Sequence, residues 1–244
     1  MGNTGAQGPG LDDDSLLAFF RAIASRSDDE VARQLDASPG LASHSTLIGA
    51  SRADPNRFFL VAIGHYVYQG DTALHIAAAA HDRDVAESLV ARGGVVRARN
   101  RRGAEPIHYA ADGSPGAERW DPHGQRDVVA YLIEAGADPN ALDKSGVAPL
   151  HRAVRTRSSA AVRALIEHGA DPRLMNKSGS TPLHLAVQNT GRSNSGSDAA
   201  KEEQARVIAV LLEYGASPTD TDANGKTVAA AVSSAWVRDL LDKS

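Results

Sequence analysis

Cysteine is absent from all 244 residues, and aromatic residues make up only 5% of them. Without cysteine there can be no disulfide, no thiolate nucleophile and no sulfur-ligated zinc, which fits a reducing compartment. Few aromatics beside abundant alanine exclude one large aromatic core and suit thin layers of closely stacked helices. No apolar run reaches the ~20 residues that a bilayer-spanning helix needs. Residues 1–10 are Gly-rich and lack the basic and apolar regions of a secretory signal, so this segment is expected to be disordered. Ala6 stands where an N-terminal acylation motif wants Ser or Thr. A net charge of −4 and a pI near 6.1 argue against a chain built as a whole to bind nucleic acid. The absences together predict a soluble, cytoplasmic chain with no membrane partner.

What is present is repetition. The stretch Gly179-Ser180-Thr181-Pro182-Leu183-His184 recurs, with substitutions, as Gly70-Asp71-Thr72-Ala73-Leu74-His75, Gly103-Ala104-Glu105-Pro106-Ile107-His108 and Gly146-Val147-Ala148-Pro149-Leu150-His151. A degenerate copy starts at Gly225, so successive turn glycines stand 33, 43, 33 and 46 residues apart. Self-similarity at this period predicts a solenoid of short helical units, each burying its apolar face only against its neighbours. Second-helix cores such as Val85…Leu89-Val90 and Val162…Leu165-Ile166 follow helical spacing. Gly93, Gly136, Gly169 and Gly215 fall at their C-terminal stops.

Before the repeats, residues 11–42 read as a capping helix pair, with an acidic Asp12-Asp13-Asp14 start suited to a helix N-terminus. Residues 43–66 break the rhythm. Their apolar run from Phe58 to Tyr66 predicts a short helix over 55–66, with a hairpin strand near Gly64 to Tyr68 as the competing reading. The repeats then occupy 67–99, 100–142, 143–175 and 176–221, and 222–244 reads as a C-terminal cap.

By these residues the chain resembles an ankyrin-repeat protein. Thr181-Pro182-Leu183-His184-Leu185-Ala186 with Tyr214-Gly215-Ala216 carries the closest match, over a span of about 67–241. Ala73 departs from the usual Pro, and Glu105 and Ala148 from the usual Thr, which leaves single turn hydrogen bonds open. The resemblance implies an all-α ankyrin-repeat solenoid with hairpin-like fingers and a concave face lined by the first helices. It also implies a non-catalytic protein-binding scaffold.

Chemistry-bearing patterns are sparse. His75, His108, His151 and His184 occupy one repeat position, but stacked helices lie about 8–10 Å apart while zinc ligands approach to about 2 Å. They cannot share a metal, and each is expected to bond backbone at its own turn. The Gly/Ser-rich Gly191–Ser197 run lacks the Gly-Lys-Ser/Thr ending of a phosphate loop, and there is no Gly-x-Ser-x-Gly elbow. No cofactor, metal or catalytic residue is expected.

The 43- and 46-residue spacings place insertions at Asp112–Gly124 and Thr190–Lys201, on the same rim of the solenoid. They would flank a notch with Arg155 and Arg157 at its floor and Trp120 in one wall. That notch is either a small-ligand or catalytic site, or Trp120 merely pins its loop. The finger tips carry the other signal. The contact positions implied by the resemblance fall on Tyr68, Gln69, Asp71, Arg101, Arg102, Lys144, Ser145, Val147, Arg155, Lys177, Ser178, Gln188, Asn189 and Lys226, a line mainly basic in an acidic chain. It is either an ordinary solvated face or a surface for an acidic protein partner, with Tyr68 and Trp120 as aromatic anchors. Nucleic-acid binding through the Arg97–Arg102 finger is a further reading, opposed by the acidic pI.

Overall fold

The structure, a computed structural model, describes residues 12–51, 54–113, 115, 117, 120–188 and 197–242. The N-terminal segment expected to be disordered therefore lies outside the described residues. So do residues 190–196, most of the loop in the second insertion.

Helices α1 (Asp13–Ala24) and α2 (Asp28–Ala37) open the chain. The Asp12 carboxylate caps α1 by accepting from the Ser15 N–H at 2.7 Å. Leu16, Leu17, Phe19, Phe20 and Ile23 of α1 are buried, and α1 packs on the first helix of the first full repeat.

Each repeat then contributes two antiparallel helices. The first helices are α3 (Ala73–Ala79), α5 (Pro106–Ala110), α7 (Pro149–Thr156) and α9 (Pro182–Ala186). The second helices are α4 (Arg83–Ala91), α6 (Pro122–Glu134), α8 (Ser159–Glu167) and α10 (Asp198–Glu213). Helices α11 (Val228–Ala231) and α12 (Ala235–Leu241) close the stack. First helices pack on first helices and second on second, so two layers enclose one continuous core of Leu, Val, Ile and Ala. Small side chains let the layers approach closely.

The four turn histidines act as the mortar between repeats. The backbone N–H groups of Thr72, Glu105 and Ala148 each donate to Nδ1 of the histidine three residues on, all at 3.1 Å. Nε2 of His75, His108 and His184 then bonds a carbonyl of the next repeat, Ala104, Val147 and Lys226 in turn, while that of His151 bonds Leu174 O at the end of its own repeat. The bond survives Glu105 and Ala148 because it uses the backbone N–H, not a threonine hydroxyl. Burial lowers the pKa of His75, His108 and His151, that of His108 to about 4, so the neutral ring is the structural form.

Between repeats, backbone bonds tie finger to finger. Arg101 N–H donates to Gln69 O, Lys144 to Arg102 O, Lys177 to Gly146 O and Ala223 to Gly179 O, at 2.8 to 3.2 Å. Gly179 shows what this closeness demands: its φ is +77°, and a Cβ there would stand 2.1 Å from Ala223 Cβ. Residues 45–51, turn-rich in sequence, extend this edge by one unit, with Thr46 N–H donating to Asp71 O and Gly70 N–H to Thr46 O.

The helix expected over 55–66 is corrected. Only a 3-10 turn, Asn56–Phe58, precedes a hairpin of β1 (Phe59–Leu60) and β2 (His65–Tyr66), paired Phe59↔Tyr66 and Leu60↔His65. Phe58 and Leu60 are buried while Val61 is 82% exposed, and Gly64 turns the chain at φ +63°. β-branched and aromatic residues with a left-handed Gly favour the pleated form over the helix. Val67 N–H continues the pairing onto Phe58 O at 2.8 Å.

Candidate partner-binding surface

The finger tips differ from the outer helices in how their charges are balanced. On the second helices, arginines meet carboxylates: Arg83 with Glu87 at 2.8 Å, Arg92 with Asp36 at 3.2 Å and Arg163 with Glu213 at 2.8 Å. Arg126 and Arg206 are likewise paired. No carboxylate lies within ion-pair distance of Arg101, Arg102, Lys144, Arg155, Arg157, Lys177 or Lys226 among the described residues. These seven follow the finger tips and the ends of the first helices, and all but Arg157 are plainly exposed. Gln69 and Gln188 are exposed beside them.

Tyr68 is half-buried and carries two of these cations. The Arg102 guanidinium lies 4.7 Å, and that of Arg101 5.6 Å, from its ring centroid. Arg101 also donates to Ala50 O at 2.8 Å, and Lys144 Nζ to Arg101 O at 2.8 Å. The remaining arginines of that finger share a carboxylate. Arg97 pairs with Glu105 at 3.4 Å and Arg99 with the same carboxylate at 3.9 Å, while Arg99 also bonds the Gly103 and Leu142 carbonyls. Glu105 is only 1% exposed, and burial holds its pKa above the ordinary value despite the two arginines. The basic finger is therefore half neutralised from within.

Asp71, expected at the contact line, is corrected: it is 0% exposed. Its carboxylate accepts from Tyr109 Oη at 2.9 Å, Asn100 Nδ2 at 2.8 Å and the Tyr68 N–H at 2.7 Å. Three donors satisfy the buried carboxyl group. Burial and Asp71 in turn drive the Tyr109 hydroxyl pKa well up. Sequence reading missed what surrounds this carboxylate. His65 of the hairpin stacks on Tyr109 at 4.4 Å between ring centroids and stands 3.9 Å from Asp112. Arg152 links Asp112 at 3.0 Å to Asp143 at 3.2 Å. Burial opposes the charge on Asp112, yet His65 and Arg152 hold its pKa below the usual range. A signal existed: the residue after each motif histidine is Ile76, Tyr109, Arg152 and Leu185, polar only in the two middle copies.

Trp120 does not face Arg155 and Arg157. Its Nε1–H donates to Gln125 Oε1 at 3.1 Å, an oxygen that also accepts from Ser158 Oγ at 2.6 Å. Its ring lines a groove of about 900 Å³ toward the hairpin, together with Val61, Ile63, Ala79 and Ala80. Arg155, Arg157, Gln188 and Gln204 line a separate hollow of about 180 Å³ on the other side of the third repeat. The expected notch is thus divided. Arg157, half-buried with φ +59°, reaches Ala200 O at 3.5 Å, and Asn189 lies outside the described residues.

A family model described as "Ankyrin repeats (3 copies)" matches residues 118–196, and one described as "Ankyrin repeat" matches 69–101 and 178–223. Over 85 residues the chain is 40% identical to the E3 ubiquitin-protein ligase KEG of Arabidopsis thaliana, a match covering 35% of this chain and 5% of that protein. The repeats, their turn histidines, the stacked helix pairs and these matches agree: the chain belongs to the ankyrin-repeat family.

Proposed function

We propose that this chain is a non-catalytic binding module that recognises an acidic protein segment through its finger tips and concave face. Ankyrin repeats are generally protein–protein interaction modules. The observation that carries the acidic preference is the segregation of unpaired cations onto one edge of a net-negative molecule. Among the described residues most arginines elsewhere already have carboxylates, and Arg21, Arg26 and Arg238 bond backbone carbonyls instead; Arg101, Arg102, Lys144, Lys177 and their neighbours have no carboxylate. Opposite charges across an interface raise association rate and fix register. Rigid fingers hold these side chains at set spacing, so docking costs little ordering. Tyr68 and its stacked arginines offer a planar cationic platform, which suits carboxylates. Because Arg97 and Arg99 are turned onto Glu105 and carbonyls, the first finger offers few charges to a phosphate backbone. A relative sharing only 5% of its length with this match lends no ligase activity to it.

Fluorescence anisotropy of a labelled glutamate-rich peptide, with a lysine-rich peptide as control, tests the reading. The glutamate-rich peptide should bind and weaken as salt is raised. Equal binding of both peptides, or none by either, would refute it.

A further inference from the structure

The hairpin at residues 59–66 stands between the N-terminal helix pair and the first full repeat, and it roofs a groove. That groove runs between Val61 and Ile63 on the hairpin, the ends of the first inner helices at Ala79 and Ala80, and Trp120 on the first insertion. Its volume of about 900 Å³ falls within the range of specific binding clefts. At its inner end it shares Gly64, His65, Tyr109 and Asp112 with a second pocket of about 260 Å³, whose far wall is Tyr68 and Arg102. The two form one path from the Val61, Ile63 and Trp120 end to the cationic finger.

The charges along that path are unequal. Arg152 is held by Asp112 and Asp143. Arg26 donates to the Ala80 carbonyl at 2.9 Å. Asp71 lies behind Tyr109 with its three donors. Arg102 differs: its guanidinium has neither a carboxylate nor a carbonyl bonded to it among the described residues, and Tyr68 holds it in place at 4.7 Å. At the other end, Val61 leaves 82% of its surface in water, which an apolar group would cover with gain.

We infer that this groove receives an extended segment of the partner protein, seating an apolar side chain between Val61, Ile63 and Trp120 and a carboxylate on Arg102. An α-helix about 10 Å wide would fill such a volume within two turns, so an extended chain reaches both ends more readily. The inference rests on the acidic-partner reading above and adds a register to it: apolar residue at the hairpin, acidic residue at the first finger. His65 sets the floor between them, fixed by its stack on Tyr109 and its approach to Asp112.

The test is selection of a random peptide phage library on the full chain, followed by anisotropy with a synthetic copy of the enriched peptide. Enriched peptides should share an apolar and an acidic residue at a fixed separation. Val61→Glu and Arg102→Glu, both at exposed side chains, should each weaken that peptide at least about tenfold without moving the urea midpoint. The triple variant Lys144→Glu, Lys177→Glu, Lys226→Glu separates the two readings. Loss in the triple variant with Val61→Glu unaffected would overturn the groove and leave the cationic edge standing. Loss in Val61→Glu and Arg102→Glu with the triple variant unaffected would support the groove and confine the edge to its first finger. Peptides lacking the apolar–acidic pair, no enrichment, or indifference to every variant would overturn the groove outright.

Discussion

The outer helices and the finger edge use the same residue types to opposite ends. Arg163 on α8 crosses to Glu213 on α10, and Arg92 at the C-terminal cap of α4 crosses to Asp36 at the end of α2. Such pairs sit on the solvent face, where each is worth only about 0–1 kcal/mol, and their effect is to balance the surface. At the finger tips Arg101, Arg102, Lys144 and Lys177 have no such partner among the described residues, and the aromatic ring of Tyr68 orients two of them instead. A solenoid gives every repeat the same two surfaces. One here is electrostatically closed and the other open, and the open one is where a partner can change the free energy most.

The bluntest way to erase the contrast is to unfold the scaffold both surfaces share. His108 carries a folded pKa of about 4 against an ordinary 6.5 because burial disfavours its charged form. The unfolded chain therefore takes up the proton first, so the stability is fully present above pH 6.5 and is lost as pH falls toward 4. That ring alone accounts for about 3 kcal/mol across the window, and His75 and His151 act in the same direction. Urea unfolding should lose midpoint steadily between these pH values, and His108→Asn should be less stable at neutral pH but lose less on acidification.

A sharper cut leaves the fold intact. Reversing Arg101, Arg102, Lys144 and Lys177 to Glu together should cost the glutamate-rich peptide roughly a hundredfold in affinity, about 2.7 kcal/mol, with little change in thermal midpoint. Beneath this edge, Tyr109→Phe removes a hydroxyl donor from buried Asp71, and should cost about 1–3 kcal/mol by urea titration. Arg163→Ala on the outer layer should change stability by no more than about 1 kcal/mol and leave peptide binding unmoved.

The scaffold was legible because its signals are local. A left-handed glycine, a proline at the first helical position and a histidine that reaches its own turn recur in register, and every copy votes for the same fold. Residues 55–66 were misread because a short apolar run satisfies helix and strand alike, and the deciding contact, Val67 to Phe58, emerges only once the chain has turned. The direction of Trp120 was hidden for a similar reason: its partner Gln125 is near in sequence, but the hairpin it faces is nearly sixty residues away. Pairing was the least visible feature of all. Arg83 meets Glu87 at helical spacing and can be foreseen, but Arg163 and Glu213 meet only because two repeats stack.

One measurement bears most directly on the open edge. Affinity of the glutamate-rich peptide should be titrated for the native chain, the quadruple finger reversal, and a matched outer reversal, Arg83→Glu with Arg163→Glu. The account predicts that the finger variant loses nearly all binding while the outer variant, with an equal charge change per residue, stays within about twofold of native. Equal losses in the two variants would mean that the peptide senses only net charge, and the division between closed and open surfaces would fall.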